Sequence, residues 1–308
     1  MLRRGRTVGI IVARMGSSRV PGKSMLNLYG RPTIERIIRN VKMVNGLDEI
    51  CVATSTLDSD GPIAAVAKRC SVRCTRGDPE KVLDRVYQAA EESRAEVIVE
   101  VGGDCPFIGA DVLDGPIMDF HDSDLDYLCN YEPPTYPEGF DVNIISKEAL
   151  SRAYIAAVAP SQRVHPFSFL SFHRDQFKIG NVEMVGKDLS RFHWSLDFPE
   201  DVIFISTVFE KLGRRDGEVS ISEILQLIDQ DKETRDLHGK LIRPAVEHAF
   251  WNAPSIMRDM NEDISKLVEI ARNGSRDGEH LKASECYGEI LNIALELKKC
   301  SLFKSEHS

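Results

Sequence analysis

An excess of positive charge is missing from this chain. Its 308 residues carry 39 Lys and Arg against 48 Asp and Glu, a net charge of −9, with a pI near 5.5. Nucleic-acid binding rests on a broad basic field, so DNA and RNA are excluded as general partners, and any local cluster of cations must serve something small. Long hydrophobic runs are also missing: none approaches the roughly 20 residues that span a bilayer, so no membrane partner is expected. Arg3, Arg4 and Arg6 do precede an apolar stretch, but Arg14 cuts it too short for a signal peptide. The expected location is the cytoplasm. Cysteine pairing signals are lacking as well. Cys51, Cys70, Cys74, Cys105, Cys129, Cys286 and Cys300 are odd in number, scattered, and contain no C-x-x-C, which reads as reduced core thiols rather than a disulfide framework or a zinc site. There is no internal repeat and no low-complexity tract. Hydrophobic content of 42% and charged content of 28% are those of a soluble globular chain, long enough for one large domain or two.

What is present is concentrated first in Ile10 to Leu26, IIVARMGSSRVPGKSML. An apolar run (Val8, Ile10, Ile11, Val12) turns abruptly into a loop with Gly16, Ser17, Ser18, Pro21 and Gly22 that carries Arg14, Arg19 and Lys23. This is the pattern of a buried strand emptying into a cationic loop. Three fixed positive charges on a backbone kept open by two glycines suit the oxygens of a polyphosphate; an ordinary strand followed by a basic surface turn has the same composition. The span Gly16 to Gly22 encloses five residues, one too many for G-x4-G-K-[ST], and Pro21 lacks an N–H that such a cradle uses. A P-loop is therefore not expected.

Downstream, Thr33 opens a segment with Ile34, Ile37, Ile38, Val41 and Val44 at helical spacing. A short strand at Ile50 to Ala53, a Pro62-initiated helix through Lys68, and a strand at Ser71 to Thr75 follow. Asp78 is placed to cap a helix holding Pro79 and Glu80 in its first turn and running through Leu83, Val86, Tyr87 and Ala90. Val97 to Val101 is another near-continuous apolar strand, ending in Gly102, Gly103 and Asp104. Strands alternating with helices predict an α/β fold, a mostly parallel sheet sandwiched by helices, with ligands bound beyond the carboxyl ends of the strands. Both the Arg14 loop and Asp104 fall at such ends. From about Asp126 the rhythm changes: a proline-rich loop (132–139), a strand-like FDVNII, and a helix from Ser146 into Ala157 suggest a small insertion, about 130–185, covering the sheet's open end. Strand candidates at Asn181 to Val185 and His193 to Leu196 precede Asp197, Pro199 and a helix through Leu212. The nucleotide-handling domain is thus expected over 1–239. Residues 240–308 read as a helical C-terminal appendage, the last helix running from Lys282 to Lys299, suited to docking on the parent domain or to oligomerisation.

The opening loop resembles the A-R-x-x-S-x-R-x-P-G-K signature of the cytidylyltransferases that activate sugar acids, the 3-deoxy-manno-octulosonate and acylneuraminate enzymes. The match lies at Ala13, Arg14, Ser17, Arg19, Pro21, Gly22 and Lys23. Within that group the likeness is nearest to the spore-coat polysaccharide type. DEICVATS at 48, GDPEKVLDRVYQAA at 77, VGGDCPFI at 101, YPEGFDV at 136 and SLDFPEDV at 195 extend it in order across roughly residues 7 to 212. The resemblance implies a nucleotide-diphospho-sugar transferase type of sandwich, a homodimer assembled through the insertion, and transfer of CMP from CTP to an anionic sugar, of nonulosonic type, with release of pyrophosphate. It also implies the roles of single residues. Ala13, Arg14, Ser17, Arg19 and Lys23 would bind the nucleotide, chiefly its triphosphate, with Thr54, Asp84 and Arg85 near the nucleoside. Asp104 and Asp197 would hold Mg2+, and Arg14, Lys23 and Asp104 would carry the chemistry.

Physical chemistry supports these roles separately, since nucleotidyl transfer needs alignment on the α-phosphate and neutralisation of departing pyrophosphate more than covalent help. Arginines, a lysine and an oxygen-liganded metal supply that. The plainer readings are a turn residue for Asp104 and a helix N-cap for Asp197. Asp122-Ser123-Asp124 and Asp124-Leu125-Asp126 mimic the D-x-D of glycosyltransferases but read as a solvated turn, and His165, His173 and His193 lack ligand spacing on a common helix. Departures gather on the acceptor side, assigned to Asp141, Asn143, Arg163 and His165. Asn143 stands where the spore-coat type usually has glutamate, and Gln162-Arg163-Val164-His165-Pro166 replaces its usual E-H-V-T-P. These exchanges predict an acceptor more anionic than usual. A glycosyltransferase on the same fold and a non-catalytic scaffold are the rival readings.

Overall fold

β1 (Thr7–Val12) is buried along its length because it lies in the middle of a seven-stranded sheet. The structure is a computed structural model that describes residues 5–157, 160–164, 167–242, 263–266 and 268–269. After the opening loop, a small hairpin of β2 (Asn27–Leu28) and β3 (Arg31–Pro32) leads into α1 (Thr33–Val41), whose Ile34, Ile37, Ile38 and Val41 are wholly buried. Then come β4 (Glu49–Ser55), α2 (Gly61–Arg69), β5 (Arg73–Gly77), α3 (Val82–Ser93), β6 (Val97–Gly102) and α4 (Ala110–Asp122). The second half supplies β7 (Tyr127–Cys129), β8 (Asn143–Ser146), α5 (Lys147–Ala156), α6 (Pro160–Val164), α7 (Ser168–Phe172), β9 (Ile179–Asn181), α8 (Pro199–Lys211), α9 (Ile221–Gln230) and α10 (Lys232–His238).

The sheet order is β5-β4-β1-β6-β8-β7-β9. β8 pairs antiparallel with both neighbours while every other pairing is parallel, so six strands share one direction and only β8 opposes them. Alternation along β1 sends Ile11 into a core with α1, α2, α4 and α8, and sends Val8 and Ile10 into a second core with α3 and α5. Helices therefore cover both faces, as the alternating pattern predicts.

Three local readings are corrected. Asp78 does not cap α3: its Oδ1 accepts from the Glu80 N–H at 2.8 Å, closing a turn, and the helix starts only at Val82. Nor does Asp197 cap α8, because Asp201 Oδ2 takes the Asp197 and Phe198 N–H groups (3.0 and 2.7 Å) and leaves the Asp197 carboxylate free of that duty. Residues 193–196 form no strand: His193 makes one isolated bridge to Glu138 and the chain bends at Ser195 and Leu196. Residues 130–185 give β8 and β9 to the same sheet that holds β1, so this stretch is woven into the domain. The helix expected at 282–299 and most of the appendage lie outside the described residues; 263–266 are helical.

Register sets up the site. β1 pairs with β4 and β6 so that Val12 lies opposite Ala53 and Gly102, which brings Ala13, Thr54 and Gly103 to one level at the carboxyl edge. Gly103 is required there: a Cβ would sit 2.6 Å from both the Ala13 Cβ and the Val12 carbonyl oxygen. Gly103→Ala is expected to destabilise the fold by about 1–3 kcal/mol, the cost of overpacking, read as a lower urea midpoint at unchanged slope. Gly139 (φ +99°) plays a similar part, since a Cβ would meet the Trp194 carbonyl carbon at 2.7 Å. That close approach lets Glu138 exchange backbone hydrogen bonds with Phe192 and Trp194 (3.0 and 2.9 Å).

Candidate active site

Lys23 leaves the opening loop at a short 3-10 turn entered through Gly22 in the left-handed region (φ 72°). Its Nζ donates to Asp104 Oδ2 at 2.7 Å, to the Leu196 carbonyl at 2.9 Å and to Asp197 Oδ1 at 3.2 Å. Three chain segments remote in sequence thus meet at one ammonium: the loop after β1, the turn after β6, and the segment before α8. Burial works against the Lys23 charge, yet Asp104 and Asp197 hold its pKa above the ordinary lysine value. Burial likewise pushes Asp197 up, and the Lys23 ammonium and Ser195 hydroxyl outweigh it, so that carboxyl titrates below its usual range. Arg19 Nη2 reaches Asp197 Oδ1 at 3.0 Å, with its guanidinium lying over the Phe198 ring (4.6 Å).

Asp197 is braced from behind. Ser195 Oγ donates to its Oδ2 at 2.8 Å and lies 3.2 Å from His193 Nε2. His193 Nδ1 stands 2.7 Å from Glu138 Oε2, and Nε2 stands 3.2 Å from Asp201 Oδ2. Burial opposes the imidazolium, but bonds to Asp201 and Glu138 raise His193 to about 9. His193, Ser195 and Asp197 thus meet through their side chains while Trp194 and Leu196 between them are wholly buried in the core. Ligand atoms of Glu138, His193 and Asp197 also lie within 4.8 Å of one another. Both His193 nitrogens already face polar partners, so its geometry is that of a brace. The Asp104–Asp197 pair, all oxygen and already flanking a cation, has the hard donor set that Mg2+ prefers.

The remaining loop residues hold the edge together. Ala13 donates its N–H to the Ala53 carbonyl at 3.2 Å, and Ser17 Oγ accepts from the Val20 N–H at 3.2 Å. Arg14 Nη1 donates to the Pro79 carbonyl at 3.1 Å, the same oxygen that Arg85 Nη1 takes at 2.9 Å while also reaching Asp78 O at 2.6 Å. Asp60 is the buried anchor of this edge. It accepts from Met15 N (2.8 Å), Ser55 Oγ (2.5 Å), Ser55 N (3.2 Å) and Thr54 Oγ1 (3.3 Å). Although burial pushes its carboxyl up, those donors hold it low. Asp60→Ala strands several buried donors, so a loss of about 2–4 kcal/mol in urea unfolding and a higher CTP KM are expected.

The sequence profile described as cytidylyltransferase matches residues 8–154. Over these residues the chain is similar to the cytidylyltransferase family. The chain is 28% identical over 229 residues to the spore coat polysaccharide biosynthesis protein SpsF of Bacillus subtilis, covering 73% of this chain and 94% of that protein. It is 36% identical over 110 residues to the 3-deoxy-manno-octulosonate cytidylyltransferase of Bdellovibrio bacteriovorus, 35% of this chain and 43% of that one. Among solved structures, a cytidylyltransferase from Leptospira borgpetersenii superposes with a TM-score of 0.72 at 22% identity, covering 78% of this chain and 99% of that one. A CMP-2-keto-3-deoxy-manno-octonic acid synthetase solved with CTP gives 0.53 at 18%, over 68% and 100%. These superpositions establish the fold.

The residues expected to bind phosphate and Mg2+ do gather: Lys23, Arg19, Asp104 and Asp197 form one cluster, with Arg14 beside the 78–79 loop. Thr54, Asp84 and Arg85 sit along the same edge, but each is committed to protein partners. Thr54 serves Asp60, Arg85 is wholly buried against the 78–79 carbonyls, and Asp84 Oδ1 binds Arg163 Nη1 at 2.7 Å. Arg163 is therefore not an unpaired cation awaiting an anionic acceptor; it is held by Asp84 and lies over the Tyr154 ring (4.9 Å), docking α6 on α3 and α5. His165 lies outside the described residues.

Asn143 receives a physical explanation. Its Oδ1 accepts from the Tyr127 and Tyr131 hydroxyls (2.5 and 2.6 Å) while Nδ2 donates to Glu100 Oε2 at 3.1 Å. An amide can accept from the two phenols through its oxygen and donate to the Glu100 carboxyl through its nitrogen at once; glutamate there would set two carboxyl groups against each other. Glu100 is pushed up to about 8 by burial first, then by Asp104 and Asp141. Asp141 is raised to about 7 by burial, Glu138 and Asp104. Glu100 has a signal in the sequence, the single charge within Val97–Val101. The D-x-D candidates are structural: Lys178 Nζ pairs with Asp124, and Asp126 Oδ2 accepts from the Lys178 N–H at 3.0 Å. No described helix is long and apolar enough to cross a membrane.

Proposed function

We propose that this chain transfers CMP from CTP to a sugar acid, releasing pyrophosphate, and that Asp104 and Asp197 hold the Mg2+ the reaction uses. The observation that carries the reading is the Lys23 ammonium held between these two carboxylates at the carboxyl edge of the sheet, 2.7 and 3.2 Å away. In the reaction the acceptor hydroxyl oxygen bonds to the α-phosphorus and gives up its proton to water, the bond from that phosphorus to the β-bridging oxygen breaks, and pyrophosphate leaves with the electron pair. Lys23, Arg19 and Arg14 neutralise the triphosphate and the charge that grows on the leaving group. Bound Mg2+ supplies further neutralisation as a hard Lewis acid. His193 and Ser195 fix the orientation of Asp197, and Asp60 fixes the loop that carries Arg14 and Lys23. The name of the relative matched over most of its length points to surface polysaccharide supply as the setting.

The test is pyrophosphate release with CTP, UTP, ATP and GTP, each with a panel of sugar acids. Release with CTP and a sugar acid is expected. Nucleoside diphosphate formed from a nucleotide sugar, with no pyrophosphate from CTP, contradicts the reading.

A further inference from the structure

The Lys23 ammonium has no hydrogen to spare. An ammonium carries three donors, and Asp104 Oδ2 (2.7 Å), the Leu196 carbonyl (2.9 Å) and Asp197 Oδ1 (3.2 Å) take all of them. To donate to a triphosphate, Lys23 must therefore let go of at least one of these acceptors. The carboxylate oxygens around it are held unequally. Asp197 Oδ2 is fixed from behind by the Ser195 hydroxyl (2.8 Å) and stands 3.5 Å from His193 Nε2, whereas Oδ1 takes Lys23 and Arg19 together. Asp104 Oδ2 takes Lys23, and with 32% of its side chain exposed this carboxylate is within reach of water. Asp104 Oδ2 and Asp197 Oδ1 are thus the oxygens able to change cation while Asp197 stays in place. Two carboxylates facing one point need positive charge there. A lysine supplies one charge on a flexible stem; a divalent ion supplies two, through bonds of roughly 2.0–2.1 Å for Mg2+.

We propose that Lys23 is an internal competitor of Mg2+: its ammonium and the ion take the same two oxygens, Asp104 Oδ2 and Asp197 Oδ1, and Lys23 turns its donors to the triphosphate only where Mg2+ has taken its place. This rests on the nucleotidyl-transfer reading, and on its Mg2+ site in particular, and deepens it. One consequence is that CTP and Mg2+ bind cooperatively through a single side chain. With CTP alone, the Lys23 donors stay on the carboxylates; with both ligands, the released ammonium meets the phosphate oxygens, and each ligand strengthens the other by the same factor. A second consequence is that removing Lys23 acts on the two ligands in opposite directions. Mg2+ alone gains affinity, because it no longer displaces an ammonium, while CTP with Mg2+ loses a charged donor. A lysine that served the phosphates alone would leave the affinity for Mg2+ unchanged, and one that organised the metal site would weaken it.

Calorimetric titration of the full chain with Mg2+ and no nucleotide reads the competition, and titration with CTP at saturating Mg2+ reads the released ammonium. Lys23→Met is expected to bind Mg2+ about tenfold more tightly than the native chain and CTP about tenfold less tightly, one charged contact in each case. Adding Asp104→Asn and Asp197→Asn to Lys23→Met should abolish the gain. The native chain gives a readout that does not depend on a variant's stability. With 15N-labelled lysine, an ammonium held by three acceptors exchanges its hydrogens slowly enough to be seen by NMR, and Mg2+ alone is expected to remove or shift the Lys23 signal. Lys23→Arg, which keeps the charge, assigns that signal. Equal or weaker Mg2+ binding by Lys23→Met, or a Lys23 signal untouched by saturating Mg2+, overturns the inference. Mg2+ that binds neither chain, with or without CTP, overturns the metal assignment along with it. Failure to release pyrophosphate from CTP while the competition holds counts against the transfer reading alone.

Discussion

Lys23→Met is expected to slow pyrophosphate release at saturating CTP by about a hundred- to a thousandfold, the cost of deleting one preorganised charge aimed at a developing anion. Two effects add. The triphosphate loses an ammonium, and Asp104 and Asp197 lose the cation that now holds them together at 2.7 and 3.2 Å. The second effect has a readout in stability. Asp197 titrates below its ordinary value, so it contributes stability that is present above the unfolded carboxyl pKa, near 4, and is lost as pH falls through the folded one. Without Lys23 that depression shrinks, so the variant should be less stable at pH 7 and lose less on acidification. Added Mg2+ should restore part of the neutral-pH loss, because a divalent cation replaces the missing ammonium. A variant with normal turnover would remove Lys23 from the site.

Asp104→Asn and Asp197→Asn are each expected to cost about a thousandfold in turnover while the protein stays folded. The two should differ in kind. Asp104 stands on the turn after β6, with Lys23 and the Cys105 thiol (3.5 Å) as its neighbours, so its amide variant should keep near-normal stability. Asp197 also receives Arg19 and Ser195 and lies 3.5 Å from His193 Nε2. An amide there turns an NH2 toward one of those donors, and a stability loss of about 1–3 kcal/mol should accompany the lost rate. Raising Mg2+ should recover activity only where the remaining carboxylate still binds it. Near-normal rates in either variant at saturating Mg2+ would acquit that residue.

Much of this was legible from residue order. β1, β4 and β6 announce themselves as apolar runs, and β1 empties into a cationic loop and β6 into Gly103 and Asp104, which located the edge where Ala13 and Asp104 meet. What escaped was whatever depends on chain segments meeting in space. Asp60 looks like one more acid in DSDG, yet it ties Met15 to Ser55 because β1 and β4 are neighbours. His193 was set aside for want of helical ligand spacing, but in a bent segment outside any helix it meets Ser195 and Asp197 through their side chains. Arg163 looked like a gain of free positive charge for the acceptor; only α6 packing on α3 reveals that Asp84 already holds it. Asn143 for glutamate looked like a lost charge, and the fold presents it as an amide shared by two phenols and Glu100. The helices at 110–122 and 221–238 were missed where Gly115 and Pro116 interrupt one pattern and acids crowd the other.

The most direct measurement is the thermal unfolding of the chain with CTP, with and without Mg2+, beside the Asp104→Asn/Asp197→Asn double variant. A ligand at a hundred times its Kd adds about 2.7 kcal/mol, which for a domain of this size is a rise of roughly 5–10 °C in Tm. The account predicts that rise for the native chain with CTP and Mg2+ together, a much smaller one with CTP alone, and none that depends on Mg2+ in the double variant. An equal rise without Mg2+, or an Mg2+-dependent rise that survives loss of both carboxylates, would contradict the assignment of the site.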